Sequence, residues 1–88
     1  MFIWKWIIQK KIIVDGYCPT NNVIYEFYGD FWHGNPNKYD QEKFNHLNHM
    51  SFKQLYENTI NREKVIISNG YKLITIWEED FDKIKSSN

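Results

Sequence analysis

From Phe2 to Ile8 the apolar residues Phe2, Trp4, Trp6 and Ile8 fall at every second position, the period of a strand rather than of a helix. Two further runs, Lys11–Asp15 and Val23–Tyr28, are β-branched and aromatic and flank Gly16–Asn22, a segment of turn formers. Together they predict a β-hairpin. Gly29–Met50 shifts to Gly, Asn, Pro, Asp and His, with Gly34-Asn35-Pro36-Asn37 as a breaker cluster, and reads as one long loop. Ser51 is placed to cap a helix whose apolar side Phe52, Leu55, Tyr56, Thr59 and Ile60 continues through Val65 to Ile67 and stops at Asn69-Gly70. Tyr71–Trp77 predicts a buried strand and Glu79–Lys85 a short terminal helix. This order implies an α/β fold: a mixed β-sheet built on the hairpin, with the helix from Ser51 to Ser68 packed across it and the last strand adjoining.

A chain of 88 residues accommodates one small domain, residues 1–88, with little room for a second core. Its sixteen aromatic residues supply large buried areas and offset the poor surface-to-volume ratio. Cys18 is the only cysteine, which excludes an internal disulfide and a Cys-rich zinc cage and points to an intracellular setting. No apolar run approaches the roughly 20 residues of a membrane span, and Met1–Trp6 lacks a signal-peptide cleavage region, so a soluble chain is expected with no membrane partner. Eleven basic against eleven acidic residues give no composition signal for nucleic acid.

A hairpin turn centred between Thr20 and Asn21 places Asp15 opposite Glu26 on neighbouring strands, projecting to the same face. Two like charges there weaken a sheet unless a divalent cation sits between them, and all-oxygen ligation suits Mg²⁺ or Mn²⁺. Against this stands the plainer reading of two solvated carboxylates at strand ends, which is common.

Val14-Asp15-Gly16-Tyr17, then Tyr25-Glu26-Phe27-Tyr28-Gly29 and Phe31-Trp32-His33-Gly34, resemble the nuclease core of the very short patch repair branch of the PD-(D/E)XK nucleases. Tyr56-Glu57-Asn58-Thr59, Arg62-Glu63-Lys64, Gly70-Tyr71 and Ile76-Trp77-Glu78 continue the match in the same order, so that it covers Lys11 to Glu79. The resemblance implies a restriction-endonuclease-like domain that hydrolyses phosphodiester bonds of DNA with Mg²⁺ or Mn²⁺, in repair or recombination. It makes Asp15 and Glu26 the metal ligands and His33, eighteen residues after Asp15, the group that activates water. An ordinary imidazole pKa near 6.5 suits that task. It also makes Phe31 and Trp32 candidates for wedging into stacked bases, with core packing as the alternative, and Arg62 and Lys64 candidates for phosphate contact, with a solvated helix face as theirs. Glu78 either assists the metal or caps the terminal helix.

Three departures from the family pattern change the picture. The lysine position of the D/E-x-K element falls on Tyr28. The places where the family holds a structural zinc read Asp30, Asn35, Asn37 and Glu79, so that zinc is not expected. The acidic helix that precedes the family core has no counterpart, so a second chain, as in a homodimer, is one source for what it contributes. Two rival readings follow: a catalytically inactive nuclease-fold module that binds nucleic acid or a partner protein, and a small interaction domain with a zinc site made of Cys18, His33, His46 and His49.

Overall fold

The computed structural model describes residues 1–8 and 10–86. Two strands, β1 (Ile3–Trp4) and β2 (Ile7–Ile8), occupy the alternating N-terminal segment, and β3 (Ile12–Ile13) folds straight back on β2. The chain then runs into β4 (Gly16–Cys18), which pairs with β1 on one side and with β5 (Val23–Tyr28) on the other. A four-residue helix α1 (Asp30–His33), a loop, the long helix α2 (Phe52–Ser68), strand β6 (Lys72–Trp77) and helix α3 (Glu78–Ser86) complete the chain. The main sheet has the order β1-β4-β5-β6, antiparallel except for the parallel pair β5–β6. It is a small α/β domain with a mixed sheet. Among the described residues no helix is long and apolar enough to cross a membrane.

The hairpin differs from the sequence expectation in its strands but not in its centre. Gly16 pairs with Tyr25, Tyr17 with Ile24 and Cys18 with Val23, a register centred between Thr20 and Asn21. The partner of Val23–Tyr28 is therefore Gly16–Cys18, part of the segment read as a turn, and only the four residues from Pro19 to Asn22 reverse the chain. Asn22, at φ 60°, takes the left-handed position that Asn tolerates. Lys11–Asp15 instead pairs backwards, Ile7 with Ile13 and Ile8 with Ile12, and the hydrogen bonds from Lys5 N–H to Asp15 C=O and from Val14 N–H to Trp6 C=O bridge this ribbon to the β1–β4 pair. An N-terminal hairpin thus precedes the expected one. Local pattern does not separate them, because every one of these strands carries β-branched or aromatic residues.

Helix α2 follows its sequence signals. The Ser51 side chain accepts a hydrogen bond from Gln54 N–H, satisfying one of the free amides of the first turn, and Gly70 at φ 90° follows the helix end. Of its buried residues Phe52, Leu55, Thr59 and Ile66, Phe52 and Thr59 meet α1 and the loop after it, through Phe31, Tyr39 and His33, and Ile66 lies against one face of the sheet. There Ile66 joins Ile8, Val14 and Ile24 in the core, with Trp6, Tyr17 and Leu73 packed around them. Strand β6 was expected to be buried; instead its residues are half-buried or exposed, and Ile74, on the sheet face turned away from α2, is 52% exposed.

The segment expected to be one loop holds α1 and a packed turn around Asn45, which is fully buried. Asn45 Oδ1 accepts from the backbone N–H groups of Leu47 and Asn48, and its N–H pairs with Met50 C=O. One side chain thereby supplies the hydrogen bonds that a strand or helix would otherwise provide. Gly34 ends α1 at φ 65°, and a Cβ there would collide with the Phe52 carbonyl and crowd Tyr56 N; Gly70 has open space around it. Gly34→Ala should therefore cost more than 2 kcal/mol, combining left-handed strain of about 1–2 kcal/mol with the collision, and Gly70→Ala only the strain. Urea unfolding of both variants checks this, and equal losses would contradict the close approach of α1 and α2.

Candidate functional site

The polar residues singled out in the sequence gather where the ends of β5 and β6 meet α1 and α2. Along β5 side chains alternate, so Ile24, Glu26 and Tyr28 point at α2 and are all buried. Arg62 on α2 meets this row: its Nη2 lies 2.8 Å from Glu26 Oε1 and also donates to Ile13 C=O. One turn of contact further along, Tyr28 Oη donates to Glu63 Oε2 at 2.8 Å. Burial pushes the Glu26 carboxyl up from its ordinary 4.5; the Arg62 hydrogen bond and charge pull it down, the negative charges of Asp15 and Glu63 push it up again, and the balance is upward. Burial and the Glu63 carboxylate hold Tyr28 far above the usual phenol range, so this hydroxyl stays protonated and donates.

Asp15 stands one step beyond the last pair of the β4–β5 ladder, across from Glu26. Its Oδ2 accepts from Phe27 N–H at 2.7 Å, where a further strand would otherwise bond. The Asp15 charge reaches both Glu26 and His33, whose pKa values it raises. Asp15 Oδ1 and Glu26 Oε2 have no hydrogen bond among the described residues. One uncommitted oxygen on each of two carboxylates is a donor set that suits a hard divalent cation, which commonly takes one or two carboxylates together with water and phosphate oxygens. The Arg62 charge on Glu26 Oε1 opposes cation binding. Among the described residues no group of three or more His, Cys, Asp and Glu side chains is placed to hold a metal ion, and the set Cys18, His33, His46 and His49 does not assemble. Cys18 pairs with Val23 at the start of β5, whereas His33 packs on Tyr28 at its end, roughly 17 Å along the strand.

His33 has the best-defined surroundings of these residues. Its ring lies 4.7 Å from that of Tyr28 and 6.5 Å from that of Trp77, and its Nδ1 is 2.9 Å from Thr59 Oγ1. Thr59 is buried and its hydroxyl donates to Leu55 C=O, one turn back on α2, at 2.9 Å. A hydroxyl has one proton. With that proton directed at Leu55, Oγ1 must accept from His33, so neutral His33 carries its proton on Nδ1 and leaves Nε2 as an acceptor. Thr59, read in the sequence only as a methyl on the apolar face of the helix, is thus a positioning residue. Its signal was a hydroxyl on a helix face that otherwise packs inward. Burial lowers the His33 pKa from its ordinary 6.5, the Arg62 charge lowers it further and Asp15 opposes.

The remaining candidates divide. Phe31 is half-buried in a ring cluster with Tyr39, His46 and Phe52, while Trp32 is 55% exposed at the surface of α1. Arg62 is committed within the fold, to Glu26 and Ile13, whereas Lys64 is exposed on α2. Glu78 is the first residue of α3, in an acidic first turn that suits a helix N-terminus, and its Oε1 accepts from Asp30 N–H at 3.2 Å, at the start of α1. Asp30, Asn35 and Glu79, three of the four places the family gives to zinc ligands, come together through hydrogen bonds. Asn35 Nδ2 donates to Asp30 Oδ1 at 2.9 Å and to Glu79 Oε2 at 3.3 Å, Glu79 N–H points at Asp30 Oδ1, and Lys38 Nζ is 3.5 Å from Asp30 Oδ2. The fourth, Asn37, donates its N–H to Asn35 Oδ1. This network ties the loop after β5 to α3 across the sheet end.

No family model, no curated protein and no solved structure matches the chain.

Because the folded His33 pKa is lowered, the folded state disfavours imidazolium. Its contribution to stability is fully present above 6.5 and is lost as pH falls below 6.5 through the folded-state midpoint. An NMR titration should place the His33 midpoint below 6.5, with nitrogen shifts of the Nδ1–H tautomer. A midpoint at or above 6.5, or an Nε2–H tautomer, would contradict the Thr59 assignment. Removing the Asp30 carboxylate by Asp30→Ala leaves Asn35 and the Glu79 amide without their acceptor and should cost about 2–4 kcal/mol in denaturant unfolding.

Proposed function

We propose that this chain is a metal-dependent DNA endonuclease domain of restriction-endonuclease-like fold. The observation that carries the reading is an imidazole held by Thr59 with Nε2 left as an acceptor, within reach of the Asp15 charge, which also reaches Glu26. The motif resemblance supports the same roles. Asp15 and Glu26 would hold Mg²⁺ or Mn²⁺, which supplies Lewis-acid polarisation of a scissile phosphate when bound. His33 Nε2 accepts the proton of a water attacking phosphorus in line, and because burial keeps the imidazole neutral near pH 7 it is competent to do so. Thr59 fixes the ring orientation. Tyr28, at the family's lysine position, acts through Glu63 and by stacking on His33 rather than as a cation. Trp32 is the aromatic exposed for contact with bases, and Lys64 is the helix cation free to approach phosphates.

A second reading draws on a specific contact. The Arg62 guanidinium already neutralises one oxygen of buried Glu26 and so opposes a cation there, which favours a nuclease-fold module that binds nucleic acid or a partner protein without cutting.

A panel of supercoiled, mismatched, branched and single-stranded DNA with Mg²⁺ or Mn²⁺ separates the two. Cleavage should fall by roughly 10²–10⁴-fold in His33→Ala and be abolished in Asp15→Ala, while Thr59→Ser retains far more activity than Thr59→Val. Binding of the same DNA without any cut, or cleavage unchanged in Asp15→Ala, would replace the endonuclease reading by the binding module.

A further inference from the structure

The face of the sheet opposite α2 is touched only at Phe27, by Phe81 of α3, among the described residues, and its composition is that of an interior. On it Phe2 lies against Trp4 and Tyr25, with ring centroids 4.8 and 5.4 Å apart, and Phe27 meets Phe81 of α3 at 5.8 Å. Exposure is 76% for Trp4, 52% for Ile74, 44% for Phe27, 43% for Phe2 and 41% for Phe81. Contiguous apolar patches of this kind are uncommon on monomers. The strand arrangement sharpens the point, because β5 and β6 are parallel along their whole length and parallel strands are normally covered on both faces.

The patch has a relief that matches itself. Between Phe2, Trp4, Phe27, Ile74 and Ile76 lies an apolar hollow of about 220 Å³, and Trp4, which forms one wall of it, is also the most exposed aromatic on the face. A protruding indole beside an indole-sized hollow is a self-complementary pair: a twofold axis through the face sends each Trp4 into the other copy's hollow, and the two exchanges are equivalent. Charge permits this meeting. A patch of one sign would repel its own copy, but the chain carries zero net charge, and the charged residues flanking Trp4 at the rim, Lys5 and Asp15, are of opposite sign. The extent of the face suffices for a weak dimer. Large apolar side chains of roughly 150–250 Å² each, exposed to the fractions given for Trp4, Ile74, Phe27, Phe2 and Phe81, leave about 500 Å² open on each copy. Two such faces bury on the order of 1,000 Å², the lower limit for a specific interface.

We propose that two copies of this chain associate through this open sheet face, Trp4 of each filling the Phe2–Ile74–Ile76 hollow of the other, to give a closed twofold dimer with both α2 layers outward. The association does not depend on nuclease chemistry.

Sedimentation equilibrium of the full chain over a wide concentration range tests it. The wild type should pass from monomer to dimer with a dissociation constant on the order of 1–100 µM and stop there. Trp4→Ser and, independently, Ile74→Lys should weaken that constant at least tenfold while keeping the wild-type far-UV circular dichroism, since both side chains are solvent-exposed in the monomer. Trp32→Ser, which removes another exposed indole, that of α1, should leave it unchanged. A monomer at every concentration, an open ladder of higher oligomers, or a dimer equally strong in both face variants would each overturn the proposal. So would a loss in Trp32→Ser as large as that in Trp4→Ser.

Discussion

Glu26 is a carboxylate on the inward face of the central strand, between Ile24 and Tyr28, and Arg62 is what makes that position tenable. Removing a carboxylate from water costs several kcal/mol unless it is paired and hydrogen-bonded, and the guanidinium supplies both with one contact to Oε1. The same guanidinium donates to Ile13 C=O, so one side chain locks α2 to β5 and to the N-terminal ribbon. The register of the helix over the sheet follows from it. Tyr28 then meets Glu63, and one turn further back along α2 Thr59 meets His33.

Around that pair the site has a graded character. Tyr28 donates to Glu63, and Thr59 spends its proton on Leu55 and its lone pair on His33, while Arg62 Nε is buried without a partner. Asp15 Oδ1, Glu26 Oε2 and His33 Nε2 retain acceptor capacity. Such free acceptors suit a ligand that brings positive charge or an acidic proton. The hydrogen-bonded network of Asp30, Asn35, Lys38 and Glu79 does a different job, holding α1 and the following loop against α3 so that His33 keeps its place.

The two faces of the sheet divide the molecule. One carries the core and the polar site under α2; the other is apolar and, among the described residues, is met only by Phe81 of α3 at Phe27. The thickness of the molecule, 19 Å along its shortest axis, is that of a sheet with a single helical layer. A parallel β5–β6 pair normally sits between two layers, and the side chains of the apolar face, Trp4, Phe27 and Ile74, are those of the layer boundary that such a fold would bury.

Much of the fold was legible in the sequence because it depends on neighbours a few residues apart. The Ser51 cap, the 3.6-residue spacing of α2, its stop at Asn69-Gly70, β6, α3 and the centre of the hairpin between Thr20 and Asn21 all follow from local backbone preference and periodicity. The pairing of β3 with β2 rather than with β5, the four-residue α1 and the Asn45 turn were not legible, since competing partners of equal local quality are separated only by tertiary packing. The site shows the same division. Asp15 and Glu26 could be named from residue type and hairpin spacing and His33 from the motif resemblance, and the Asp15 charge reaches both Glu26 and His33. The engagement of Arg62 with Glu26 and Ile13 was decided only by the approach of α2 to β5, as were the bond from Thr59 that sets the His33 tautomer and the hydrogen-bonded meeting of Asp30, Asn35 and Glu79. Each joins residues from separate elements, so its geometry exists only once the helix lies on the sheet. Sequence by itself determined which groups are available; the tertiary structure decided which protons they hold and which partners they keep.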